Sequence, residues 1–125
     1  MVVIDTSVLI DYLRGEALPE FETLVLNGQA VLSKVVKLEL LSGVRKKEAS
    51  QLEILFSGLV ERPEFASASL CEKLLRRARG SGLFGGIPDL MIIADVVEMR
   101  GVLYTRDQRQ ERLAADLKIR LFGGK

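Results

Sequence analysis

Four acidic side chains stand at places in the sequence where a purely structural role is hard to assign. Asp5 and Asp107 follow short apolar runs that are typical of strands. Glu39 projects into an otherwise apolar arc of a predicted helix, and Asp89 begins a strongly apolar helix with little polar face. Four carboxylates in such surroundings raise one another's pKa unless a cation balances their charge. The pattern therefore indicates a cation site.

The chemistry of that site follows from its ligands. Carboxylate oxygens favour a hard divalent ion, Mg²⁺ or Mn²⁺, which activates water and stabilises charge on a scissile phosphate. Hydroxyls at Thr6, Ser7 and Thr105 adjoin the acids in the sequence and are expected to donate hydrogen bonds to them. The chain has no histidine, and no side chain stands out as a general base, so metal-activated water is the expected nucleophile.

Each of the four acids also has a structural interpretation. The three aspartates precede helical runs, where aspartate is a preferred N-cap. The alternative for Glu39 is an ion pair with Lys37 or Arg45. One shared site explains all four acids with fewer coincidences, and it is the preferred hypothesis.

Two further aspartates are assigned to structural roles. Asp95 projects about 120° away from Asp89 around the helix axis and close to Glu98. We therefore expect Asp95 on a solvent-exposed edge of its helix. Asp11 is assigned to a structural role in the same way.

The elements that must position these residues alternate between strands and helices. Residues 1–4 are apolar without alternation, as in a parallel strand buried on both faces. Such a strand needs a crossover helix, which Thr6 or Ser7 is suited to cap. The alternation predicts an α/β fold, a three-layer α/β/α sandwich with a mainly parallel central sheet. Predicted strands cover residues 1–4, 30–32, 59–60, 101–105 and 119–122, and predicted helices cover 8–13, 18–26, 34–44, 48–56, 67–79, 88–100 and 107–117.

Length and composition set further bounds. The 125 residues, 48% of them hydrophobic, suit one domain over residues 1–125. A net charge of +1 gives no general argument for a polyanionic partner. One cysteine and no histidine exclude a disulfide framework and zinc sites of the Cys/His kind. The apolar start lacks a basic region, and no apolar run approaches a membrane span, so we expect a soluble cytoplasmic protein.

Two other signals are discounted. Residues 80–85 match G-x-G-x-x-G, but a predicted helix precedes them where the dinucleotide fingerprint needs a strand. We interpret this stretch as a flexible loop that leads to Asp89. Cys71 lies on the apolar side of its helix with no histidine available as a base, so it is not expected to act as a nucleophile.

The acidic segments resemble those of the PIN-domain nucleases, in the same order and over essentially the whole chain. Residues 5–7 (DTS) are similar to the family's opening, and residues 33–43, which contain Glu39, are similar to its second segment. Residues 87–94 (IPDLMIIA) and 103–107 (LYTRD) resemble the third and fourth. The length of the chain and its compact amino-terminal segment most resemble those of VapC-type toxins of toxin–antitoxin pairs.

This resemblance implies an endoribonuclease that depends on Mg²⁺ or Mn²⁺, forms a homodimer and is silenced by a small antitoxin. It implies Thr105 as a helper and a catalytic and metal-binding quartet of Asp5, Glu39, Asp89 and Asp107. Many relatives carry an aromatic residue two or three positions after the fourth acid, where this chain has QRQ at residues 108–110. That departure affects packing beside the site.

Basic residues supply candidate RNA contacts. Arg106 is the best placed because it adjoins Asp107. A charged helix face consists of Lys73, Arg76, Arg77 and Arg79. This face has three interpretations: a solvated surface, an RNA contact or a docking face for an acidic antitoxin segment. Further candidates for phosphate contacts are Arg45, Lys46, Lys47 and Arg109.

Two other functions stay open on the sequence. A receiver-like phosphoacceptor switch also gathers aspartates and Mg²⁺ at strand ends, but it needs a lysine after a late strand, where this chain has Arg106 and Asp107. A PIN-like protein that processes or binds RNA without being a toxin is the second alternative. The preferred hypothesis is RNA phosphodiester hydrolysis by a toxin.

Overall fold

Strands and helices alternate along the chain as the sequence predicts. A computed structural model describes residues 1–82 and 85–123, so residues 83 and 84 of the predicted flexible loop lie outside the described residues. The strands are β1 (Val2–Ile4), β2 (Ala30–Leu32), β3 (Val60–Glu61) and β4 (Val102–Tyr104). The helices are α1 (Thr6–Leu13), α2 (Pro19–Leu26), α3 (Lys34–Gly43), α4 (Ala49–Ser57), α5 (Ala68–Ala78), α6 (Ile87–Met99) and α7 (Gln108–Asp116), and a 3₁₀ turn spans Lys46–Glu48.

The sheet has the strand order β3-β2-β1-β4, and every neighbouring pair is parallel. β1 lies inside the sheet, where Val3 and Ile4 are fully buried, which explains an apolar run without alternation. Parallel pairing requires crossover connections, and helices provide them. The predicted α/β/α sandwich on a parallel sheet is confirmed. Because the carboxyl ends of parallel strands meet at one edge, the residues that follow β1 and β4 lie together.

The predicted strand at residues 119–122 is reduced to a single bridge. Leu121 pairs in parallel with Leu103 of β4, whose backbone N–H donates to the carbonyl of Arg120 at 2.9 Å. Lys118 before the bridge has a left-handed backbone with φ 60°, and Gly123 after it has φ 90°. The chain therefore turns into the sheet and out again within a few residues.

Asp95 of α6 is buried, and the prediction of a solvent-exposed edge is wrong. Only 2% of Asp95 is exposed, because α6 packs against α3, α5 and β1 and leaves no free edge there. Its Oδ1 accepts a hydrogen bond from Nη1 of Arg62 at 2.7 Å, and Arg62 also pairs with Glu98. The backbone N–H of Ser67 donates to Oε2 of Glu98 at 2.8 Å. This network joins the end of β3 to the start of α5 and to α6.

Two acids of this network, Asp95 and Glu98, act electrostatically on the single cysteine, Cys71. Burial, followed by the charges of Asp95 and Glu98, raises the pKa of the Cys71 thiol. A thiol with a raised pKa stays protonated at neutral pH, which agrees with its exclusion as a nucleophile.

No helix within residues 1–82 and 85–123 is long and apolar enough to cross a membrane. A cytoplasmic location stays a prediction.

The buried Asp95 predicts how stability varies with pH. Burial raises the pKa of Asp95 from 3.8 to about 6, although Arg62 opposes the rise. The folded state thus binds this proton more tightly than the unfolded chain, so the carboxyl lowers stability as the pH rises through that range. Relative to Asp95→Asn, the wild-type free energy of unfolding should fall by up to about 3 kcal/mol between about pH 4 and pH 7.

Urea unfolding at several pH values measures this difference. Asp116→Asn is the control because Asp116 is exposed at the end of α7. The difference between the wild type and this control should change little with pH. A constant difference between the wild type and Asp95→Asn would contradict the prediction.

Candidate active site

The carboxyl ends of β1 and β4 bring residues 100 positions apart in the sequence into contact. Ile4 pairs with Tyr104 in the register of the two strands, and the backbone N–H of Asp5 donates to the carbonyl of Tyr104 at 2.8 Å. Asp5 and Thr105, the next residue on each strand, therefore lie side by side. This is the edge at which open α/β sheets place their ligand crevice.

Asp5 is a buried carboxylate that two hydroxyls stabilise. Only 4% of Asp5 is exposed, and its Oδ2 accepts hydrogen bonds from Ser7 Oγ and Thr105 Oγ1, both at 2.7 Å. The Ser7 hydroxyl accepts from the backbone N–H of Arg106 at 2.9 Å, and the Thr105 hydroxyl accepts from that of Asp107 at 3.1 Å. Backbone donors thus orient both hydroxyls, and the hydroxyls replace water that a buried carboxylate has lost.

Glu39 is directed toward the start of α1. It is half-buried on α3, and its Oε1 accepts a hydrogen bond from Thr6 Oγ1 at 2.9 Å, across 33 positions in the sequence. Lys37, one of its alternative partners, instead donates to Glu61 at 2.7 Å. Thr6 directly follows Asp5, so this contact holds Glu39 close to the buried carboxylate.

Asp89 is the carboxylate whose pKa is affected by the charges of the other three acids. It lies half-buried in the first turn of α6. Burial raises the pKa of Asp89, and the negative charges of Asp5, Glu39 and Asp107 raise it further, while Arg109 lowers it. The structure therefore brings all four predicted acids into one electrostatic cluster, which we call the acidic cluster.

Asp107 is both a helix cap and a member of the acidic cluster. Its Oδ1 accepts from the backbone N–H of Arg109 at 2.9 Å and from that of Gln110 at 3.4 Å, at the start of α7. The capping interpretation therefore holds for this side chain, and it does not exclude a role in the cluster. The cap fixes one oxygen and the direction of the carboxylate.

Gln110 supports the site and is not among the site residues predicted from the sequence. It is 2% exposed, and its Nε2 donates to the backbone carbonyl of Asp89 at 3.0 Å, which ties α7 to the first turn of α6. The signal is a polar residue at the first position of a buried helical stripe. The stripe consists of Gln110, Leu113, Ala114 and Leu117.

The donor set fits a hard divalent cation. The cluster offers carboxylate oxygens, the ligands that Mg²⁺ and Mn²⁺ prefer, and its mutual repulsion at Asp89 is relieved by a positive ion. In the described ranges, no group of three or more acidic, cysteine or histidine side chains is arranged closely enough to hold a metal ion. An ion bound by fewer of these carboxylates would keep several of its waters, as Mg²⁺ commonly does. The catalytic and metal-binding roles of the quartet stay predictions.

The predicted basic residues lie in different surroundings. Arg106 pairs with Asp11 at 2.7 Å and with Glu16 at 3.2 Å. Nη2 of Arg77 lies 3.5 Å from the carbonyl of Leu117, at the end of α7 that lies about 15 Å from its Asp107 cap. Arg76 pairs with Glu72 in solvent, and Arg79 is exposed at the end of α5. Their RNA-binding roles stay predictions.

Comparisons with known proteins agree with this geometry. A family model described as PIN domain matches residues 2–116. The chain is 34% identical over 122 residues to Ribonuclease VapC19 of Mycobacterium tuberculosis, a match that covers 94% of this chain and 98% of that protein. It superposes with a TM-score of 0.81 and 20% identity on a chain of DNA-bound VapBC from Salmonella typhimurium, covering 97% of this chain and 96% of that one. For VapBC2 from Rickettsia felis bound to a promoter DNA fragment, the TM-score is 0.76, the identity 22% and the coverage 98% of each chain.

The hydrogen bonds on Asp5 predict a measurable contribution to stability. Thr105→Val removes the hydroxyl that donates to Asp5 Oδ2 and accepts from the Asp107 N–H. We expect a loss of about 1 to 3 kcal/mol in the free energy of unfolding, measured by urea titration at pH 7. Thr105→Ser keeps the hydroxyl and is the matched control. Equal stability of the valine and serine variants would contradict this account of Asp5.

Proposed function

Because the chain belongs to the PIN domain family, we propose that it is an endoribonuclease that depends on a divalent metal ion. The observation that carries the proposal is the acidic cluster, in which burial and the charges of three carboxylates raise the pKa of Asp89. A relative at 34% identity over 94% of the chain is a ribonuclease, which favours RNA as the substrate. Oxygen ligands favour Mg²⁺ or Mn²⁺ as the cofactor.

The residues of the chain have distinct tasks in this proposal. When bound, Mg²⁺ or Mn²⁺ polarises water and offsets charge on the phosphate. The hydroxyls of Ser7 and Thr105 hold Asp5 in one orientation, and the Thr6 hydroxyl does the same for Glu39. Neutral donors leave the negative charge of both carboxylates available to the ion. The residues that would hold the ion are Asp5, Glu39, Asp89 and Asp107.

Neutralising one carboxylate should remove activity and leave the fold intact. We expect Asp5→Asn and Asp89→Asn each to lower cleavage of a mixed structured-RNA pool by about 100-fold or more. The assay is run with purified protein in Mg²⁺ or Mn²⁺, and EDTA should abolish cleavage by the wild type.

Asp116→Asn is again the control, because it removes one negative charge from the far end of α7. It should cleave as the wild type does. Circular dichroism verifies that each variant is folded. Wild-type cleavage that persists in EDTA, or that survives in both cluster variants, would refute the proposed site.

We also propose a small antitoxin protein as the partner, as the resemblance to VapC-type toxins implies. Both solved relatives described above are VapBC complexes. A groove of about 690 Å³ adjoins the acidic cluster, since its lining includes Thr6 and Glu39 together with Ile10, Leu13 and Leu40. An apolar antitoxin segment seated in this groove covers the Thr6–Glu39 contact and blocks access to the cluster.

Growth experiments test the toxin role. Expression of the wild type in a bacterial host should slow growth, Asp5→Asn should not, and co-expression of a neighbouring small reading frame should restore growth. Leu13→Ser should weaken that rescue because Leu13 lines the groove. Leu26→Ser, at an 86% exposed leucine outside the lining of this groove, is the control. Wild-type expression without a growth defect would favour a PIN-like RNA-processing protein that is not a toxin.

The family assignment removes the receiver-like alternative. A homodimer, which the resemblance also implies, stays a prediction that light scattering measures. Metal-dependent cleavage distinguishes the nuclease from a protein of the same fold that only binds RNA, because the binding protein leaves the RNA pool intact.

A further inference from the structure

Among the described residues, four cations follow the carboxyl ends of β2 and β4 within five positions, and three of them already have partners. Lys37 pairs with Glu61 at 2.7 Å. Arg106 is paired with Asp11 and Glu16. The ammonium group of Lys34, at the start of α3, lies 4.8 Å from the centre of the Phe65 ring. Arg109, in the first turn of α7, is exposed and lies toward the acidic cluster.

The guanidinium of Arg109 occupies space beside Gly85 that a larger residue would fill. A methyl group built at Gly85 would lie 2.6 Å from Oδ2 of Asp89, 2.8 Å from Nη2 of Arg109 and 3.0 Å from its Cζ. The carboxylate and the guanidinium therefore approach the same point, and the missing side chain of Gly85 leaves the space for both.

The charge balance of the acidic cluster indicates what this guanidinium does. One divalent ion offsets two of the four negative charges, so the loaded cluster still repels a phosphate. A cation beside the cluster is needed to attract an RNA backbone, and arginine binds phosphate oxygens through two parallel N–H donors. Arg106 is held by two carboxylates, whereas the guanidinium of Arg109 lies beside Gly85 on the side where the Asp89 carboxylate also lies.

We propose that Arg109 binds the RNA phosphate at the acidic cluster, and that Gly85 is the residue that leaves room for its guanidinium on the side of the Asp89 carboxylate. This inference rests on the proposed nuclease function and names the residue that recognises the substrate backbone at that site. It assigns the phosphate contact to Arg109 in place of Arg106. Gly85 is a positioning residue, because it acts only through Arg109 and Asp89.

The experiment measures RNA binding in the Asp5→Asn background, where cleavage does not interfere. The probe is a fluorescein-labelled 20-nucleotide single-stranded RNA of mixed sequence, followed by anisotropy at several salt concentrations. Arg109→Gln should raise Kd about 5-fold or more and lower the salt-dependence slope by about one. Arg109→Lys should restore part of the affinity, because it keeps the charge and loses the fork.

Two control variants accompany this experiment. Arg112→Gln tests whether any loss of positive charge weakens binding, and Gly80→Ala tests whether any glycine substitution in the loop does so. Arg112→Gln removes the same charge from an exposed position one turn further along α7, and it should change Kd less than twofold. Gly85→Ala should weaken binding by less than Arg109→Gln does, since its methyl displaces the ends of two flexible side chains but removes no charge. Gly80→Ala, which meets nothing within 4 Å, should leave binding unchanged.

Specific results would contradict this inference or the nuclease proposal on which it rests. If Arg109→Gln leaves Kd for RNA unchanged and tightens Mg²⁺ binding in calorimetry, Arg109 is only an internal counter-ion of Asp89, and the inference is wrong. If the wild type cleaves RNA while Arg109→Gln has an unaltered KM, the inference fails and the nuclease proposal stands. If the wild type leaves every RNA intact, the nuclease proposal fails, and the binding measurement alone decides the role of Arg109.

Discussion

A buried carboxylate at the end of the central strand is the constraint on which this structure depends. Only 4% of Asp5 is exposed, and one of its oxygens accepts hydrogen bonds from the neighbouring Ser7 and from Thr105, which lies 100 positions away. α1 must begin at once after β1 so that Ser7 turns back, and β4 must pair with β1 so that Thr105 reaches across. The pairing of β1 with β4 therefore also assembles the site.

The chain solves the problem of a buried acid in two ways, and the two solutions have different consequences. Asp95 is compensated by the positive charge of Arg62, so its charge is neutralised within the protein and serves to join elements. Asp5 and Glu39 are compensated by neutral hydroxyls, which leave a net negative charge for an external cation. The chemical nature of the partner, more than the degree of burial, distinguishes the structural acid from the candidate ligand.

The sequence was sufficient for the fold because local pattern and global topology agree. An apolar first strand, alternating helices and acids at strand ends all indicate the same sheet edge. What it did not predict depends on contacts between distant residues. The burial of Asp95 follows from α6 packing on several elements, which a helical projection does not contain. The same holds for Gln110, whose partner is a backbone carbonyl 21 positions away, and for Arg106, whose partners are Asp11 and Glu16.

The hydrogen bond between Thr105 and Asp5 joins the two ends of the described fold across 100 positions. During translation Thr105 and Asp107 are added about 100 residues after Asp5. A nascent chain that has not yet reached these positions lacks both the donor to Asp5 and the fourth acid. The acidic cluster therefore cannot assemble before the chain has been synthesised through Asp107.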